Sequence, residues 1–92
     1  MPDINNMFID NFLGTQLYVD IMVDYAENEG GFYCRVYDKT RFTDCDGNVT
    51  PIDFGDYLDD FCIDKTHSKE YIDVVSYILD YVKNNITKED LA

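Results

Sequence analysis

Residues 15–37 read TQLYVDIMVDYAENEGGFYCRVY and carry the clearest pattern in the chain. Over residues 17–23, the branched aliphatic side chains at odd positions alternate with Tyr18, Asp20 and Met22, which is the period of a half-buried strand. A polar turn over residues 27–31 follows, and the alternation resumes over residues 32–37. Two alternating runs joined by such a turn predict a β-hairpin.

The two faces of this hairpin differ in chemistry. One face is apolar, and we expect helices to cover it because an apolar sheet face must be buried against another layer. The other face would meet solvent or a partner, unless a further helix or the N-terminal segment covers it. This second face carries Tyr18, Asp20, Met22, Asp24, Tyr33, Arg35 and Tyr37.

Upstream of the hairpin, residues 2–13 have apolar side chains at helical spacing. Asp3 is near the N-terminal end, where the helix dipole favours a negative charge, and Gly14 is positioned to end a helix. These residues predict a short amphipathic helix.

Downstream, residues 41–45 predict a third strand, and the Asp-Gly pair at residues 46–47 is favoured in two-residue hairpin turns. A short fourth strand is compatible with residues 49–52. Pro51 would confine that strand to a sheet edge because proline cannot donate a ladder hydrogen bond.

Residues 53–63 return to helical spacing, and residues 68–85 show the most regular helical pattern in the chain. The order of elements predicts an α+β fold in a single domain, residues 1–92. It consists of an N-terminal helix, a three- to four-stranded antiparallel sheet, and two C-terminal helices packed on one sheet face. The wide apolar face of the last helix is formed by Tyr71, Val74, Val75, Ile78, Leu79 and Val82.

The chain is strongly acidic. Nineteen Asp and Glu residues oppose seven Lys and Arg residues, which gives a net charge of −12 over 92 residues. Because 46% of the residues are hydrophobic, we expect a folded protein rather than a disordered acidic tail. Self-repulsion destabilises a compact chain of this charge, so the charge is expected to serve a positively charged partner. An ordinary solvated surface is the alternative explanation, since Asp and Glu also favour solubility.

Cysteine usage favours a reducing cytoplasm, because three cysteines without a CxxC pair cannot close a full disulfide framework. Residues 1–14 contain acidic but no basic side chains, so we expect no signal peptide. We also expect no membrane association, since no apolar run approaches the roughly 20 residues of a membrane span.

The predicted helix over residues 53–63 would align a row of carboxylates. Asp53, Asp56, Asp60 and Asp64 are separated by steps of three, four and four residues. On a helix they would stand about 5–6 Å apart and could compete for Lys and Arg clusters that grip phosphates. The predicted partner-binding residues are Asp53, Asp56, Asp59, Asp60 and Asp64, together with Asp20, Asp24, Tyr18, Tyr33 and Tyr37 of the sheet.

Residues suited to catalysis are few, and we expect no enzymatic activity, no cofactor and no metal site. The single histidine, His67, belongs to the polar link before the last helix, and Ser68 is best explained as a helix N-cap. The glycines match no phosphate-binding loop. A calcium loop that starts at Asp44 would need glycine and glutamate where Val49 and Gly55 stand.

In size, charge, the acid-rich residues 53–64 and the α+β order, the chain resembles the small acidic inhibitors made by phages and mobile elements, including nucleic-acid mimics and anti-CRISPR proteins. The resemblance implies a non-enzymatic inhibitor that occupies the basic nucleic-acid channel of a nuclease or surveillance complex, and that does not itself bind nucleic acid. An immunity protein or antitoxin that neutralises a basic nuclease toxin is the alternative. A homodimeric structural module is a further one.

Overall fold

The computed structural model describes residues 3–24, 30–38 and 57–91. Within these residues the chain forms one antiparallel sheet, in which strands adjacent in space are also consecutive along the chain. The strands are β1 (Asn6–Phe12), β2 (Thr15–Asp24), β3 (Gly31–Asp38) and β4 (Asp59–Ile63).

One helix, α1 (Tyr71–Asn85), follows β4 after a short 3₁₀ turn, Lys65–His67. Its buried side chains, Val74, Ile78 and Val82, join the apolar side chains of one sheet face in a single hydrophobic core. The strand residues of that core include Leu17, Val19, Ile21, Phe32, Cys34, Val36, Phe61 and Ile63. The described residues therefore form a four-stranded sheet with one α-helix on one face.

The N-terminal helix predicted over residues 2–13 is wrong, because those residues contain β1. In the register with β2, Ile9 is opposite Leu17 on the core side, and Phe8 is opposite Tyr18 on the other side. Apolar side chains on both faces of a strand produce spacings that resemble a helical stripe. Pairing with β2 outweighs that local pattern.

The connection between β1 and β2 explains why the chain turns back at this point. Leu13 and Gly14 have φ values of 49° and 86°, the positive values that both central residues of a type I′ turn require. Asn11, with φ 55°, occupies a register shift between Ile9 and Phe12. Gly14 therefore closes a hairpin rather than ending a helix.

The helix predicted over residues 53–63 is also wrong, because β4 pairs with β3 over Asp59–Ile63. Phe61 is opposite Cys34, and both belong to the core. Asp60 and Cys62 alternate with the core residues and are exposed. Among residues 57–91 the structure therefore has one α-helix instead of two, and Asp59–Ile63 follow the two-residue period of a strand.

Two predictions are confirmed. The hairpin over residues 15–37 is formed by β2 and β3, with Ile21 opposite Cys34. The last helix exists within residues 68–85, but it begins at Tyr71, with Glu70 and not Ser68 as N-cap. Its apolar face is narrower than predicted, since Tyr71 and Leu79 are exposed.

The strands predicted over residues 41–45 and 49–52 lie outside the described residues. In the portion of the chain that the structure covers, no helix combines the length and the apolar character needed to cross a membrane.

Candidate functional site

The sheet face opposite α1 carries the side chains that alternate with the core residues, and it is called the open face here. No described helix packs on it. Cross-strand register arranges most of its side chains in three rows that run from strand to strand. The open face consists of Phe8, Tyr18, Asp20, Met22, Tyr33, Arg35, Tyr37, Asp60 and Cys62, with Tyr57 beside Tyr37.

An aromatic row crosses one end of the open face. The ring centroids of Phe8 and Tyr18 are 5.3 Å apart, those of Tyr18 and Tyr37 are 6.1 Å apart, and those of Tyr37 and Tyr57 are 6.4 Å apart. Phe8 is 49% exposed and Tyr57 37% exposed, whereas Tyr37 is only 1% exposed. The two ends of the row are therefore accessible to a partner, whereas Tyr37, between Tyr18 and Tyr57, is buried.

A charged row is adjacent to the aromatic one. Arg35 of β3 is opposite Asp20 of β2 on one side and Asp60 of β4 on the other. The guanidinium carbon of Arg35 is 5.3 Å from the ring centroid of Tyr33 and 5.0 Å from that of Tyr57, within the range of cation–π attraction. One cation is thus held between two rings and flanked by two carboxylates.

Hydrogen bonds continue this row toward β4. The Arg35 Nε–H donates to the Tyr33 hydroxyl at 3.1 Å, and the Tyr33 hydroxyl donates to Oδ2 of Asp60 at 2.6 Å. A donor bonded to an ionised acceptor makes a stronger bond than a neutral pair. The Asp60 side chain is exposed, so its carboxylate is held by Tyr33 and still faces solvent.

The pKa values of Tyr18, Tyr33 and Tyr37 on the open face are raised above 10.0, so these three phenols are neutral at physiological pH. Burial raises the pKa of Tyr18 above 10.0, and the Asp20 carboxylate and Tyr37 add to the increase. Burial also raises the pKa of Tyr33; the hydrogen bond from Arg35 opposes this increase, and Asp60 reinforces it. The negative charge of the face is therefore confined to its aspartates.

The structure separates the predicted partner-binding aspartates near β4 from one another. Asp60 belongs to the open face, but Asp59 points to the opposite side, where it accepts a hydrogen bond from the Tyr81 hydroxyl of α1 at 3.0 Å. Asp64 caps the 3₁₀ turn, accepting from the Thr66 backbone N–H at 2.9 Å. The hydrogen bonds from the Thr66 backbone and side chain lower the pKa of Asp64.

Asp60 and Asp64, two members of the predicted row, cannot align along a helix because Asp60 belongs to β4 and Asp64 caps the turn that follows it. Asp59, which was predicted to bind the partner as well, lies on the other face of β4. Asp53 and Asp56 lie outside the described residues. Among the predicted sheet residues, Tyr18, Tyr33 and Asp20 are half-buried on the open face. Asp24 is at the end of β2, opposite Gly31, away from the Asp20 row. Tyr37 is on the open face but too buried to contact a partner.

Phe8, Tyr57 and Arg35 were not among the predicted partner-binding residues. Alternation along β3 places Arg35 on this face beside Tyr33, whereas its second aromatic contact, Tyr57, precedes β4. Met7, Phe8 and Ile9 are three consecutive apolar residues, so the sequence shows no alternation that assigns Phe8 to this face. Pairing of β1 with β2 sets Phe8 opposite Tyr18 there.

A surface cleft of about 250 Å³ lies between the 3₁₀ turn and α1. It brings His67 near Ser76, yet no hydrogen bond among the described residues joins the imidazole to this hydroxyl. Asp73 instead accepts from the Glu70 backbone N–H at 3.1 Å at the start of α1. The cleft is lined by Thr66, His67, Asp73, Ser76, Tyr77 and Asp80.

The described residues contain no cluster of three or more His, Cys, Asp or Glu side chains that could hold a metal ion. Ser68 is buried and serves the fold, since its hydroxyl donates to the carbonyls of Gly30 at 3.0 Å and Asp64 at 3.1 Å. The open face combines exposed Phe8, Tyr57 and Asp60 with half-buried Asp20 and Arg35 on one surface.

Comparisons with protein-family models, with curated proteins and with solved structures found no significant match to this chain.

Proposed function

We propose that this protein is a non-enzymatic acidic inhibitor that binds the basic nucleic-acid-binding surface of a partner protein and blocks it. The observation that carries the proposal is the open face, where Asp20 and Asp60 lie on either side of Arg35. The exposed ends of the aromatic row, Phe8 and Tyr57, are adjacent to this charged row. Carboxylates beside aromatic rings suit Lys and Arg side chains, because ion pairing and cation–π attraction act on the same cation.

The distribution of charge along the chain supports a basic partner. Residues 1–34, which supply β1, β2 and the first part of β3, contain six acidic residues and no basic one. Such a field speeds the encounter with a positively charged surface and keeps acidic partners away. Surfaces that bind nucleic acid are rich in Lys and Arg, so they match this field.

Exposed aromatic side chains support protein binding rather than simple solubility. Solubility requires no half-exposed phenylalanine, whereas aromatic residues are enriched in protein interfaces. Phe8 and Tyr57 are exposed at the two ends of the aromatic row, beside the charged row. We propose a contact in which rings supply buried area and aspartates supply orientation, in a reducing cytoplasm.

The test is capture from a host lysate at low and high salt, followed by identification of the captured proteins and a nucleic-acid displacement assay on each. The test variant is Asp20→Asn with Asp60→Asn. The matched control is Asp80→Asn with Glu89→Gln, which removes the same charge from exposed positions on and after α1. Urea denaturation of each variant verifies that it is folded.

The expected result is a nucleic-acid-binding partner that releases its DNA or RNA when the protein is added. Its capture should weaken at high salt, because exposed charges are screened. Capture should be lost in the open-face variant and kept in the control. Equal capture by both variants, or a captured protein whose nucleic-acid binding is unaffected, would contradict the proposal.

A further inference from the structure

Arg35 is the one basic side chain among the residues that define the open face. If the face binds a basic partner, the charge of Arg35 opposes that binding, since like charges brought together across an interface repel. Because Arg35 repels a basic partner, its presence on the open face calls for a role other than charge attraction. The contacts that Arg35 makes indicate such a role.

Arg35 holds its neighbours in a defined arrangement. It is central in the sheet, on β3, and its guanidinium contacts the rings of Tyr33 and Tyr57 while its Nε–H bonds to the Tyr33 hydroxyl at 3.1 Å. That hydroxyl in turn donates to Asp60 at 2.6 Å. The Tyr33 hydroxyl oxygen accepts the Arg35 Nε–H through a lone pair, so its own proton points at the Asp60 carboxylate.

We infer that Arg35 is a positioning residue of the open face: its guanidinium fixes the Tyr33 and Tyr57 rings and, through the Tyr33 hydroxyl, orients the Asp60 carboxylate toward the partner. The inference rests on the proposed function. A carboxylate whose rotamer is fixed before binding loses less entropy when it docks, so the arrangement raises affinity by preorganisation.

Lysine is the informative substitution because it keeps the charge and removes the geometry. The lysine side chain has no planar group that can stack on two rings, and it has no Nε–H donor in the fixed position that the guanidinium provides. Positioning predicts that both Arg35→Lys and Arg35→Gln weaken binding. A purely electrostatic role predicts that Arg35→Lys changes nothing and that Arg35→Gln strengthens binding.

The assay is fluorescence anisotropy with a labelled Arg- and Lys-rich peptide as probe, at low and moderate salt. Loss of one hydrogen bond that contributes about 1 kcal/mol corresponds to a roughly fivefold change in Kd. We expect Arg35→Lys and Tyr33→Phe each to weaken binding about fivefold by this conversion. Asp60→Asn should weaken binding and also reduce its salt dependence, since it removes a charge.

A double-mutant cycle separates positioning from general damage. If Arg35 acts through Asp60, Arg35→Lys has little further effect in the Asp60→Asn background. Damage to the fold would instead add to the effect of Asp60→Asn, and urea denaturation of each variant would reveal it. The ring of Tyr33 is retained in Tyr33→Phe, so that variant tests the hydroxyl alone.

Two failures are distinguishable. If the wild-type protein does not bind the peptide, or if Asp20→Asn and Asp60→Asn leave binding unchanged, the proposed binding face is wrong and the role of Arg35 is refuted with it. If those two variants weaken binding while Arg35→Gln strengthens it and Arg35→Lys leaves it unchanged, the binding face stands. In that case only the positioning role is refuted.

Discussion

Two adjacent residues of α1 offer a sharp test of the packing between helix and sheet. The sequence pattern predicts that Ile78 and Leu79 both belong to the apolar face of the helix. In the structure Ile78 is 0% exposed and Leu79 is 43% exposed. Truncation of each to alanine should therefore have very different effects on the free energy of unfolding.

Ile78 contacts a core formed by both α1 and the sheet, and its neighbours on the helix, Val74 and Val82, are also buried. Replacement of a fully buried isoleucine by alanine costs about 2–5 kcal/mol, from lost transfer energy and the cavity that remains. Leu79→Ala removes a side chain that is already partly in water, and alanine favours helix, so a loss within about 0.5 kcal/mol is expected. The difference between the two variants should be about 2 kcal/mol or more.

Urea denaturation followed by circular dichroism measures both values. With an m-value of about 1–3 kcal/mol/M, the midpoint for Ile78→Ala should fall by roughly 0.7 M or more relative to Leu79→Ala. If Ile78→Ala does not fold, Ile78→Val should still lose about 0.5–1.5 kcal/mol. Equal losses for Ile78→Ala and Leu79→Ala would show that the helix packs on the sheet through a different face.

Three further changes test local features. Burial, reinforced by the Asp59 carboxylate, raises the pKa of Tyr81 from 10.0 to about 12. The neutral phenol therefore contributes its whole stabilisation of the fold below pH 10.0, and this contribution is lost as the pH rises through about 12. Tyr81→Phe should lack that alkaline loss in thermal melts and cost about 0.5–1.5 kcal/mol at neutral pH; an unchanged alkaline profile would contradict it. Leu13→Gly should raise the free energy of unfolding by about 0.5–1 kcal/mol, because Leu13 is exposed and has a φ of 49°, which glycine adopts without strain. A lower urea midpoint for this variant would refute the turn geometry. Ser68→Ala should cost about 1–3 kcal/mol in the same assay, since it removes the buried hydroxyl that bonds the Gly30 carbonyl; no loss would mean that this bond is not formed.

The parts of the fold that the sequence predicts are those specified by local pattern. The alternation over residues 17–23 and 32–37 is long enough to identify β2 and β3, and the stripe of Val74, Ile78 and Val82 identifies α1. Residues 2–13 and 53–63 have short apolar patterns compatible with either period. Their strands exist because they pair with β2 and β3, and this pairing is not encoded within either segment.

The sequence predicts only some residues of the candidate site, and it does not predict how they are grouped. Alternation alone places Tyr18, Asp20 and Tyr33 on one face of the hairpin. Asp60 joins them only because β4 pairs with β3 at a register that sets it opposite Arg35. The same register turns Asp59 away toward α1, which separates two adjacent carboxylates predicted to act together.

Strand order has a consequence for how the chain folds. Since each strand pairs with its predecessor along the chain, β1, β2 and β3 can assemble by closing short loops, at small entropic cost. β4 must instead find β3 across the twenty residues between Asp38 and Asp59, and α1 depends on the completed sheet for its apolar surface. We therefore expect the three N-terminal strands to form early and the β4–α1 unit to dock late. Substitutions at Phe61 or Ile78 should then speed unfolding more than they slow folding.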